Sequence, residues 1–521
     1  MKLPYLTFLF TLTCASAFAQ FQNILIHGAG NNAKEPAIAI NPANTDELVA
    51  GANGDNVYHS HDGGYTWELD KLVSSYGVLG DPCVVADDQG NFYYSHLSKT
   101  ETPTGWLDRI VIQKSTDAGI SWNNGSFTGF NDPKDQDKLY WLSSTPIRSA
   151  LFTGICMWHG RSLILASLDP QNQKSRILCS ASHDGAGSWD GIKMISERTG
   201  DCVDSDHTAE GAVPAIGPNG EVYLSWSLDD TIWFDRSLDG GKTWLNEDIL
   251  VGRQPGGWNF NVPGIYRCNG FPITACDQKT GTIYINWSDQ RMGENDTDIY
   301  LSKSEDGGNT WSKAKRVNDD PPGHHNFFTW MTIDQTTGVL YFVFYDRRNH
   351  DDWKTDVYLA YSTDEGETFM NLKISEEPFV PQPNKFFGDY TNITAHDGHV
   401  HPIWARMDDG ETSVWTAVSD SPNSLESPDF FGLKTKLHNY PNPFSASTTI
   451  VFNLSTDQQL SLAVFDVTGK WQADIFQQKK FTPGVHEFTL DNREVGLPAG
   501  LYFLKLGNGL ASEVCKVVVG N

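Results

Sequence analysis

Carboxylate and imidazole side chains recur at one kind of place in this chain, the loop that leads into an apolar, strand-like segment. These residues are Glu35, Asp81, Asp206, His207, Glu210 and Asp389. Two carboxyl groups that meet across a substrate can serve as the acid and base of glycoside hydrolysis. A larger group of carboxylates can instead bind a divalent cation such as calcium. The alternative is that Glu35 and Asp81 are ordinary solvated loop residues.

A second set of residues with binding chemistry follows the next strand of each unit, and it consists of arginines. Arg291, Arg347 and Arg406 occupy equivalent places in three consecutive units. Three guanidinium groups from separate units can clamp one carboxylate through paired hydrogen bonds. Alternatively, each arginine forms an ion pair that holds its own loop, because an aspartate precedes the arginine in two of the three places.

The loops that lead into the strands also carry rings and hydrogen-bonding groups suited to a sugar. The set is Trp258, Tyr266, Arg267, His325, Trp330 and Tyr390. We expect the aromatic rings to stack on a sugar while the carboxylates act as acid and base. The sequence therefore predicts that Glu210 and at least two of Glu35, Asp81 and Asp389 line one pocket, which is the candidate catalytic site.

Such distant loops meet only if a repeated scaffold brings them together, and an eight-residue pattern repeats through the chain. The pattern is Ser-x-Asp-x-Gly-x-Thr-Trp, and its copies begin at Ser60, Ser115, Ser182, Ser237, Ser304 and Ser362. Successive copies begin 55, 67, 55, 67 and 58 residues apart, which is typical of propellers and other repeat arrays. We interpret each copy as a tight turn whose aspartate accepts backbone N–H bonds and whose glycine supplies a positive φ. These structural aspartates are Asp62, Asp117, Asp184, Asp239, Asp306 and Asp364.

Around each turn the sequence predicts four short antiparallel strands, which is the size of one propeller blade. Seven such units can be counted if the weak stretch 139–168 is one of them, and six if it is an insertion. The last unit, 390–420, has three strands and no turn pattern, so we expect the strand at 21–27 to supply its fourth. The predicted fold is therefore all-β, a propeller over residues 20–420, with seven blades favoured over six.

The turn pattern resembles the Asp-box, or BNR repeat, of sialidases and related β-propellers. The resemblance implies that the turns lie away from the catalytic face and that the propeller acts on a glycan or glycoprotein as a sialidase-like glycoside hydrolase. The chain lacks the Phe/Tyr-Arg-Ile-Pro motif near the start of the propeller, and Arg148 in the tetrapeptide 146–149 is the nearest fragment. The alternative is a non-catalytic surface propeller that binds glycan or protein.

A second region follows a linker at 421–436 and has its own motifs. The segments 440–444, 464–469 and 497–502 resemble the type A C-terminal sorting domain of the type IX secretion system. The resemblance covers residues 437–521 and implies a small β-sandwich that is removed after export across the outer membrane. It implies the type IX machinery as a partner and the cell surface or the medium as the destination. An ordinary β-sandwich binding module is the alternative.

The composition limits the classes of function that remain. The apolar run at 6–18 and the small residues before Gln20 predict a secretory signal peptide at 1–19. No later apolar stretch in the sequence reaches the length of a membrane span. A net charge of −27 argues against nucleic acid as a partner, because phosphates need a basic surface. Cysteine spacing allows a disulfide between Cys268 and Cys276 and shows no zinc pattern.

Overall fold

The structure is a computed structural model, and it describes twelve stretches of the chain. They are residues 21–30, 33–98, 109–128, 137–142, 154–161, 174–201, 205–419, 437–454, 458–466, 470–482, 484–507 and 512–520. These residues form an all-β molecule, as predicted, and the one helix described among them, α1, is the short segment Asn492–Val495. No helix in this described part has the length and hydropathy to cross a membrane.

Strands follow one another along the chain and are numbered in that order. The first are β1 (Phe21–His27), β2 (Ala37–Ile40), β3 (Leu48–Ala52), β4 (Asn56–Ser60), β5 (Glu68–Lys71), β6 (Gly80–Ala86), β7 (Phe92–Ser98), β8 (Arg109–Ser115), β9 (Ser126–Thr128), β10 (Asp137–Leu142), β11 (Gly154–Arg161), β12 (Ser175–Ser182) and β13 (Lys193–Met194). The next are β14 (Glu210–Ile216), β15 (Val222–Ser227), β16 (Thr231–Ser237), β17 (Ile249–Arg253), β18 (Asn259–Phe260), β19 (Cys268–Asn269), β20 (Ile273–Cys276), β21 (Ile283–Asp289), β22 (Asp298–Ser304), β23 (Lys315–Arg316), β24 (Asn326–Ile333), β25 (Leu340–Asp346), β26 (Asp356–Ser362), β27 (Met370–Lys373), β28 (Asn392–His396), β29 (His399–Asp408) and β30 (Glu411–Ser419). The last are β31 (His438–Tyr440), β32 (Ser447–Leu454), β33 (Gln458–Asp466), β34 (Trp471–Phe481), β35 (Gly484–Asp491), β36 (Gly500–Gly507) and β37 (Ser512–Val519).

The described strands before residue 420 form seven antiparallel sheets of four strands, and β18 and β19 pair separately. The sheets are β2–β5, β6–β9, β10–β13, β14–β17, β20–β23, β24–β27 and β28–β30 with β1. The first strand of each sheet contacts the first strand of the next, in the order β2, β6, β10, β14, β20, β24 and β28. The series returns to its start, because β28 also contacts β2. The loops that enter these first strands therefore lie at one end of the molecule.

The N-terminal strand completes the last of these sheets. β1 pairs antiparallel with β30, with Phe21 opposite Ser419. Asn23 adds hydrogen bonds to Ile374 and Glu376, which follow the outer strand β27 of the neighbouring sheet. This pairing confirms the prediction that the strand at 21–27 supplies the fourth strand of the last unit.

The inner strands of the sheets are buried on both faces, which explains why their sequences are apolar runs rather than alternating patterns. β25, with the sequence LYFVFYD, is buried at every residue, whereas the outer strand β5, with the sequence ELDK, is exposed at every residue. The first strands surround a central cavity of about 340 Å³. Small or branched side chains such as Ala215, Ile273 and Ala275 line this cavity together with polar residues such as Thr274 and Asn392, so its wall is mixed.

The repeated turns share one set of hydrogen bonds, which the first copy illustrates. The Gly64 N–H donates to Ser60 Oγ at 3.0 Å, and the Thr66 N–H and hydroxyl donate to the Asp62 carboxylate at 2.9 and 2.6 Å. In three copies the indole N–H also donates to a glycine carbonyl of the turn, as Trp67 does to Gly64 at 2.9 Å, whereas Trp189 donates to Ser126 Oγ instead. The carboxylates that accept the matching pair of bonds are Asp117, Asp184, Asp239, Asp306 and Asp364.

These turns lie at the end of each sheet that is far from the loops entering the first strands. In the first sheet Ser60 pairs with Leu48, which in turn pairs with Ile40, the last residue of β2. The third copy keeps the turn although alanine replaces glycine, because Ala186 takes a left-handed φ of 66°. The Ser and Asp hydrogen bonds therefore hold this turn even where glycine is missing.

Residues 438–519 form two further sheets around one apolar core. The sheets are β31-β32-β35 and β34-β33-β36-β37. Their fully buried core residues include Ile450 and Phe452 from one sheet and Leu462, Leu504 and Val517 from the other. Because both sheets contribute side chains to this core, their apolar faces pack against each other.

The disulfide that the sequence allowed between Cys268 and Cys276 is absent, and both thiols are free. The two cysteines belong to different core clusters, Cys268 with Phe327 and Cys276 with Ile283 and Ile285, so their thiols do not meet. Burial raises the pKa of both thiols, that of Cys276 to about 12. Neither is therefore a reactive thiolate at neutral pH.

Candidate functional site

The acidic residues Glu35 and Asp81 occupy a special backbone position immediately before or at the start of β2 and β6. Their φ angles are 54° and 50°, in the left-handed region that side chains disfavour. Near the start of β14 the left-handed residue is Gly211, with a φ of 77°, and in β24 it is Phe328. The chain therefore bends sharply where the entering loop meets the first strand. Two of these bends carry a carboxylate, although glycine adopts the same left-handed conformation at another.

Asn53, which follows β3, connects these two acidic residues through its side-chain amide. Its Nδ2 donates to the Glu35 carboxylate, and its Oδ1 accepts the Asp81 backbone N–H at 2.8 Å. The backbone N–H of Asn53 donates to the Lys34 carbonyl at 2.9 Å. One asparagine therefore fixes the starts of β2 and β6 relative to each other.

Asp389 enters the same end of the molecule before β28 and pairs with Arg267. The guanidinium binds both carboxylate oxygens, Nε donating to Oδ1 at 3.0 Å and Nη2 donating to Oδ2. Asn269 Nδ2 donates to the Asp389 carbonyl at 2.8 Å. Paired, charge-assisted hydrogen bonds of this kind fix the orientation of the carboxylate.

Lys34 joins these two groups, because its charge interacts with both Glu35 and Asp389. Burial lowers the pKa of Lys34, while the two carboxylates oppose that shift. Lys34 Nζ lies 4.8 Å from the centre of the Phe386 ring, and Arg267 Cζ lies 5.2 Å from the same centre. We call this group the mouth cluster, and its members are Lys34, Glu35, Asn53, Asp81, Arg267, Phe386 and Asp389.

The mouth cluster contains two basic side chains beside its carboxylates, and their positive charge weakens the case for the predicted calcium ion. Lys34 and Arg267 lie next to Glu35 and Asp389, so part of the negative charge is balanced by side chains. A calcium ion at this end of the molecule stays a prediction.

A small cavity of about 10 Å³ lies beside the mouth cluster and close to the central cavity. Asp389, Tyr390 and Trp330 are among the residues that line it, and Trp330 lines the central cavity as well. The Tyr390 hydroxyl lies 3.5 Å from the Pro82 carbonyl oxygen. The start of β28 therefore lies close to the start of β6, although the two are far apart in sequence.

Glu210 is the first residue of β14 and lies one place before the left-handed Gly211. It is buried, with 5% of its surface exposed. A side chain at Gly211 would collide with Phe271, which lines the small cavity together with Asp389. The start of β14 is thus near this cavity, and a pocket shared by Glu210 and the mouth cluster stays a prediction.

Asp206 and His207 belong to the loop that leads into β14. His207 Nδ1 lies 2.6 Å from Asp229 Oδ1, and this hydrogen bond raises the pKa of His207. Asp206 accepts the Asn259 N–H at 2.8 Å, and burial raises the pKa of Asp206. His207 is therefore partnered by Asp229, and the acid–base roles suggested for these loop residues stay predictions.

Arg291 and Arg406 of the second set each bind an aspartate two residues away, whereas Arg347 donates to the Thr355 hydroxyl at 3.1 Å and to the Pro263 carbonyl at 2.5 Å. Arg291 Nε donates to Asp289 Oδ1 at 2.9 Å, and Arg406 Nε donates to Asp408 Oδ2 at 2.6 Å. Arg347 is buried instead, and burial lowers its pKa to about 10. These pairs agree with the alternative that the arginines hold loops, and a carboxylate ligand shared by all three stays a prediction.

Of the aromatic residues suggested for a sugar, Tyr266 has the exposed ring, with 59% of its surface accessible. Trp258 is buried, and its indole N–H donates to a backbone carbonyl at 3.0 Å. Trp330 and Tyr390 are buried against each other, with ring centres 6.1 Å apart. The Tyr266 ring lies 6.2 Å from Phe386, so these two rings offer apolar surface beside the mouth cluster.

His325 lies just before β24 and is also buried. Its Nδ1 lies 3.0 Å from the Thr297 hydroxyl. Burial, followed by the nearby charge of Arg347, lowers the pKa of His325 to about 4. The imidazole is therefore neutral at physiological pH and available as a hydrogen-bonding group rather than as a cation.

Sequence reasoning missed three members of the mouth cluster. Lys34 had a local signal, since a basic residue stands directly before Glu35. Asn53 follows the second strand of its unit, which is the place where the arginines of the second set stand in other units. That position could have drawn attention to it. Phe386 had no local signal, because its contacts with Lys34 and Arg267 join distant parts of the chain.

Two family models match this chain. Residues 438–520 match the secretion system C-terminal sorting domain, and residues 58–69 match the BNR/Asp-box repeat. The chain carries an Asp-box repeat and a secretion system sorting domain. The sorting domain marks it for export by the type IX secretion system, to the cell surface or the medium.

The sorting domain comprises the strands β31 to β37, and its first motif is tied to its last strand. The Phe444 N–H donates to the Val518 carbonyl at 3.0 Å. Asn442 Nδ2 donates to the Lys516 carbonyl at 2.8 Å. The motif at 440–444 therefore depends on β37 for its position.

Several solved structures are similar to this chain at low identity. A Penicillium chrysogenum α-L-arabinanase complexed with arabinobiose is 13% identical with a TM-score of 0.41, covering 76% of this chain and 97% of that one. A Trypanosoma rangeli sialidase in complex with the inhibitor DANA is 10% identical with a TM-score of 0.42, covering 95% and 89%. A protein of unknown function from Dyadobacter fermentans DSM 18053 is 12% identical with a TM-score of 0.42, covering 76% and 97%. At these TM-scores the likenesses assign no activity, and no curated protein matches the chain.

Proposed function

We propose that this chain is an exported glycoside hydrolase of sialidase-like type whose glycan binds at the mouth cluster. The proposed scaffold is a seven-bladed propeller over residues 20–420, in which each four-stranded sheet is one blade. The contacts between first strands, which return from β28 to β2, support it. A signal peptide at 1–19, a linker at 421–436 and a β-sandwich over 437–521 complete the proposed organisation.

The observation that carries this proposal is the pair of left-handed carboxylates, Glu35 and Asp81. A side chain in this backbone region costs about 1–2 kcal/mol relative to a relaxed conformation. Gly211 takes a left-handed φ near the start of β14, so the fold itself does not require a carboxylate at such a bend. Residues held in disfavoured conformations cluster at active sites, where the strain positions a functional group.

We assign the two catalytic carboxyl groups to Glu35 and Asp81, because glycosidases work with a pair of such groups. Asn53 holds the Glu35 carboxylate through Nδ2 and the Asp81 backbone N–H through Oδ1, which limits the movement of these two residues relative to each other. Asp389 and Arg267 form a charged wall beside them, and Arg267 keeps over a third of its side chain accessible to a ligand.

A panel of fluorogenic glycosides, incubated with the purified chain, tests this proposal. We expect hydrolysis of at least one glycoside, and we expect Glu35→Gln and Asp81→Asn to lower kcat/KM about 10²- to 10⁴-fold. The matched control is Asp397→Asn. Asp397 is also a left-handed aspartate, with a φ of 50°, but it follows β28 at the opposite end of the first strands. Equal losses in the control and the mouth variants would contradict the assignment.

A glycan-binding propeller without catalysis is the second candidate function. The observation that favours it is the ion pair that already engages both oxygens of Asp389. In this case the glycoside panel shows no turnover, while a glycan array shows binding that Tyr266→Ala weakens. Absence of both turnover and glycan binding would contradict both candidates.

A further inference from the structure

A second group of carboxylates lies far from the mouth cluster, where two consecutive sheets meet. Glu197 follows β13, Asp235 lies in β16 and Asp248 directly precedes β17. One carboxylate oxygen from each lies within 4.8 Å of an oxygen from the other two. Glu197 lies in the connection that leaves β13, whereas Asp235 lies in β16 and Asp248 precedes β17, so the group lies where the sheet β14–β17 meets the connection from the sheet before it.

Asp235 is the central member of this group, and its carboxylate is incompletely satisfied. The residue has no exposed surface. Its Oδ1 accepts the backbone N–H groups of Arg236 and Leu245 at 2.5 and 3.0 Å. Its Oδ2 is buried and has no hydrogen-bond partner. A buried carboxylate oxygen without a partner costs free energy, which a bound cation would offset.

The charge of Arg236 acts on Asp235 without an ion pair between the two side chains. Among the described residues, no lysine or arginine forms an ion pair with Glu197, Asp235 or Asp248. Arg236 turns its guanidinium away to Asn309, and Arg198 lies over the Trp233 ring. Burial raises the pKa of Asp235 to about 7, and burial together with the neighbouring Glu197 raises that of Asp248, so the charged form of both acids is disfavoured.

The repeat itself shows that the fold does not need an acid at Asp235. The residue lies two places before the serine of its turn, and the corresponding residues in the other copies are Tyr58, Gln113, Ser180, Ser302 and Ala360. None of these carries a charge. In two of them the serine hydroxyl donates to a nearby backbone carbonyl, at 2.7 and 2.8 Å. Asp235 makes the equivalent contact through Oδ1, which accepts the Leu245 N–H, so the blade architecture accounts for Oδ1 and leaves Oδ2 without a role.

We propose that Glu197, Asp235 and Asp248 bind one Ca²⁺ ion, which links the sheet β10–β13 to the sheet β14–β17. Calcium binds oxygen ligands at about 2.3–2.6 Å, so two oxygens on opposite sides of one ion lie up to about 5 Å apart. The three carboxylate oxygens lie within 4.8 Å of one another and therefore fit around one ion. The sorting domain directs the chain out of the cell, where calcium sites of millimolar affinity are filled.

The ion would reinforce a junction that otherwise depends on long-range hydrogen bonds. Lys193 Nζ, from the outer strand β13, donates to the Gly241 and Lys242 carbonyls in the turn of the next sheet, at 2.7 and 2.9 Å. The Arg198 N–H contacts Asp248 Oδ2 at 3.4 Å. A cation bound beside these hydrogen bonds would add its own ligand bonds to the junction and so hold the two sheets together more strongly than the hydrogen bonds alone.

Thermal unfolding of the purified full chain, in CaCl₂ or in EDTA at equal ionic strength, tests the site. We expect calcium to raise the Tm by about 2–4 °C when it is present at about a hundred times its Kd. Asp235→Ser, which copies the serine of two other repeats, and Glu197→Gln should both abolish this rise. Glu197 is exposed, so its variant remains informative if Asp235→Ser fails to fold.

The control variant is Glu247→Gln, which removes the same charge from an exposed neighbour outside the group and should keep the full calcium response. No rise in the wild-type Tm would overturn the proposal. A rise that Glu197→Gln retains but Asp81→Asn loses would also overturn it, because calcium would then bind at the mouth cluster.

Discussion

At the scale of single residues, the aspartate of each repeated turn concentrates several hydrogen bonds on one carboxylate. Asp364 accepts the Thr368 N–H at 2.8 Å, the Thr368 hydroxyl at 2.6 Å and the Ser362 hydroxyl at 2.8 Å. We predict that Asp364→Ala lowers the free energy of unfolding by about 0.5–1.5 kcal/mol, because the Thr368 and Ser362 donors lose their acceptor and only Ser362 is buried. Urea unfolding measures the change, and activity per folded molecule should stay the same.

The matched control for that variant lies in the same turn. Glu365→Gln also removes one negative charge, but it leaves the three hydrogen bonds to Asp364 intact. It should change stability by less than about 0.5 kcal/mol. If Asp364→Ala unfolds like the wild type and yet loses activity, the turn aspartates have a functional role that this structure does not assign.

His325 predicts a dependence of stability on pH. Its pKa is lowered to about 4 in the folded chain, against 6.5 in the unfolded chain, by burial and then by Arg347 and His324. The neutral imidazole therefore contributes stability that is fully present above pH 6.5 and is lost as the pH falls towards 4. The loss amounts to about 2–3 kcal/mol between pH 7.5 and pH 4.5.

The measurement is urea unfolding of wild type and His325→Gln at both pH values. The glutamine keeps a hydrogen-bonding group near Thr297 and cannot titrate, so the variant should lose less stability on acidification. His401, whose pKa burial lowers to about 3, contributes in the same direction and leaves a remaining slope. The turn carboxylates Asp184 and Asp239, with pKa values of about 2, destabilise the chain only below about pH 4.

At the scale of elements, β1 is the strand that joins the N-terminal part of the chain to its last sheet. Asn23 Nδ2 donates to the Ile374 carbonyl at 2.7 Å, and Asn23 Oδ1 accepts the Glu376 N–H at 2.9 Å. We predict that Asn23→Ala lowers the free energy of unfolding by about 1–2 kcal/mol, because both groups lose partners. The neighbouring exposed Gln22→Ala is the control, and equal effects of the two variants would contradict this role.

How much of this structure the sequence predicts depends on the range of the contacts involved. The hydrogen bonds of Asp62 and the pairing of β1 were predictable, because a local pattern or a missing strand in the count signalled each of them. The Asn53 bridge and the Asp235 group were not, because each joins segments whose meeting depends on how sheets pack. The arginine set shows the same limit, since Arg291 pairs with Asp289 two residues away and its spacing alone could not decide between the two interpretations.

At the scale of the whole molecule, the sorting domain separates export from the activity that we propose for residues 20–420. Its two sheets have a core of their own, and its first motif at 440–444 is anchored to β37. Loss of β37 should therefore displace that motif as well. The stability and activity predicted above for residues before 420 depend on other cores.

We predict that the chain found on the cell surface or in the medium lacks both ends of the sequence. The signal peptide should be cut after Ala19, and a segment starting near Leu433 should be removed after export, because the sorting domain is read by the type IX machinery. Deletion of 437–521 should leave a folded, active chain in the periplasm. The control is Tyr266→Ala, which changes the mouth of the molecule but keeps the sorting domain, and this variant should be exported normally. Mass spectrometry of the surface and medium fractions measures both points, and recovery of peptides from 464–505 in the mature protein would contradict removal of the domain.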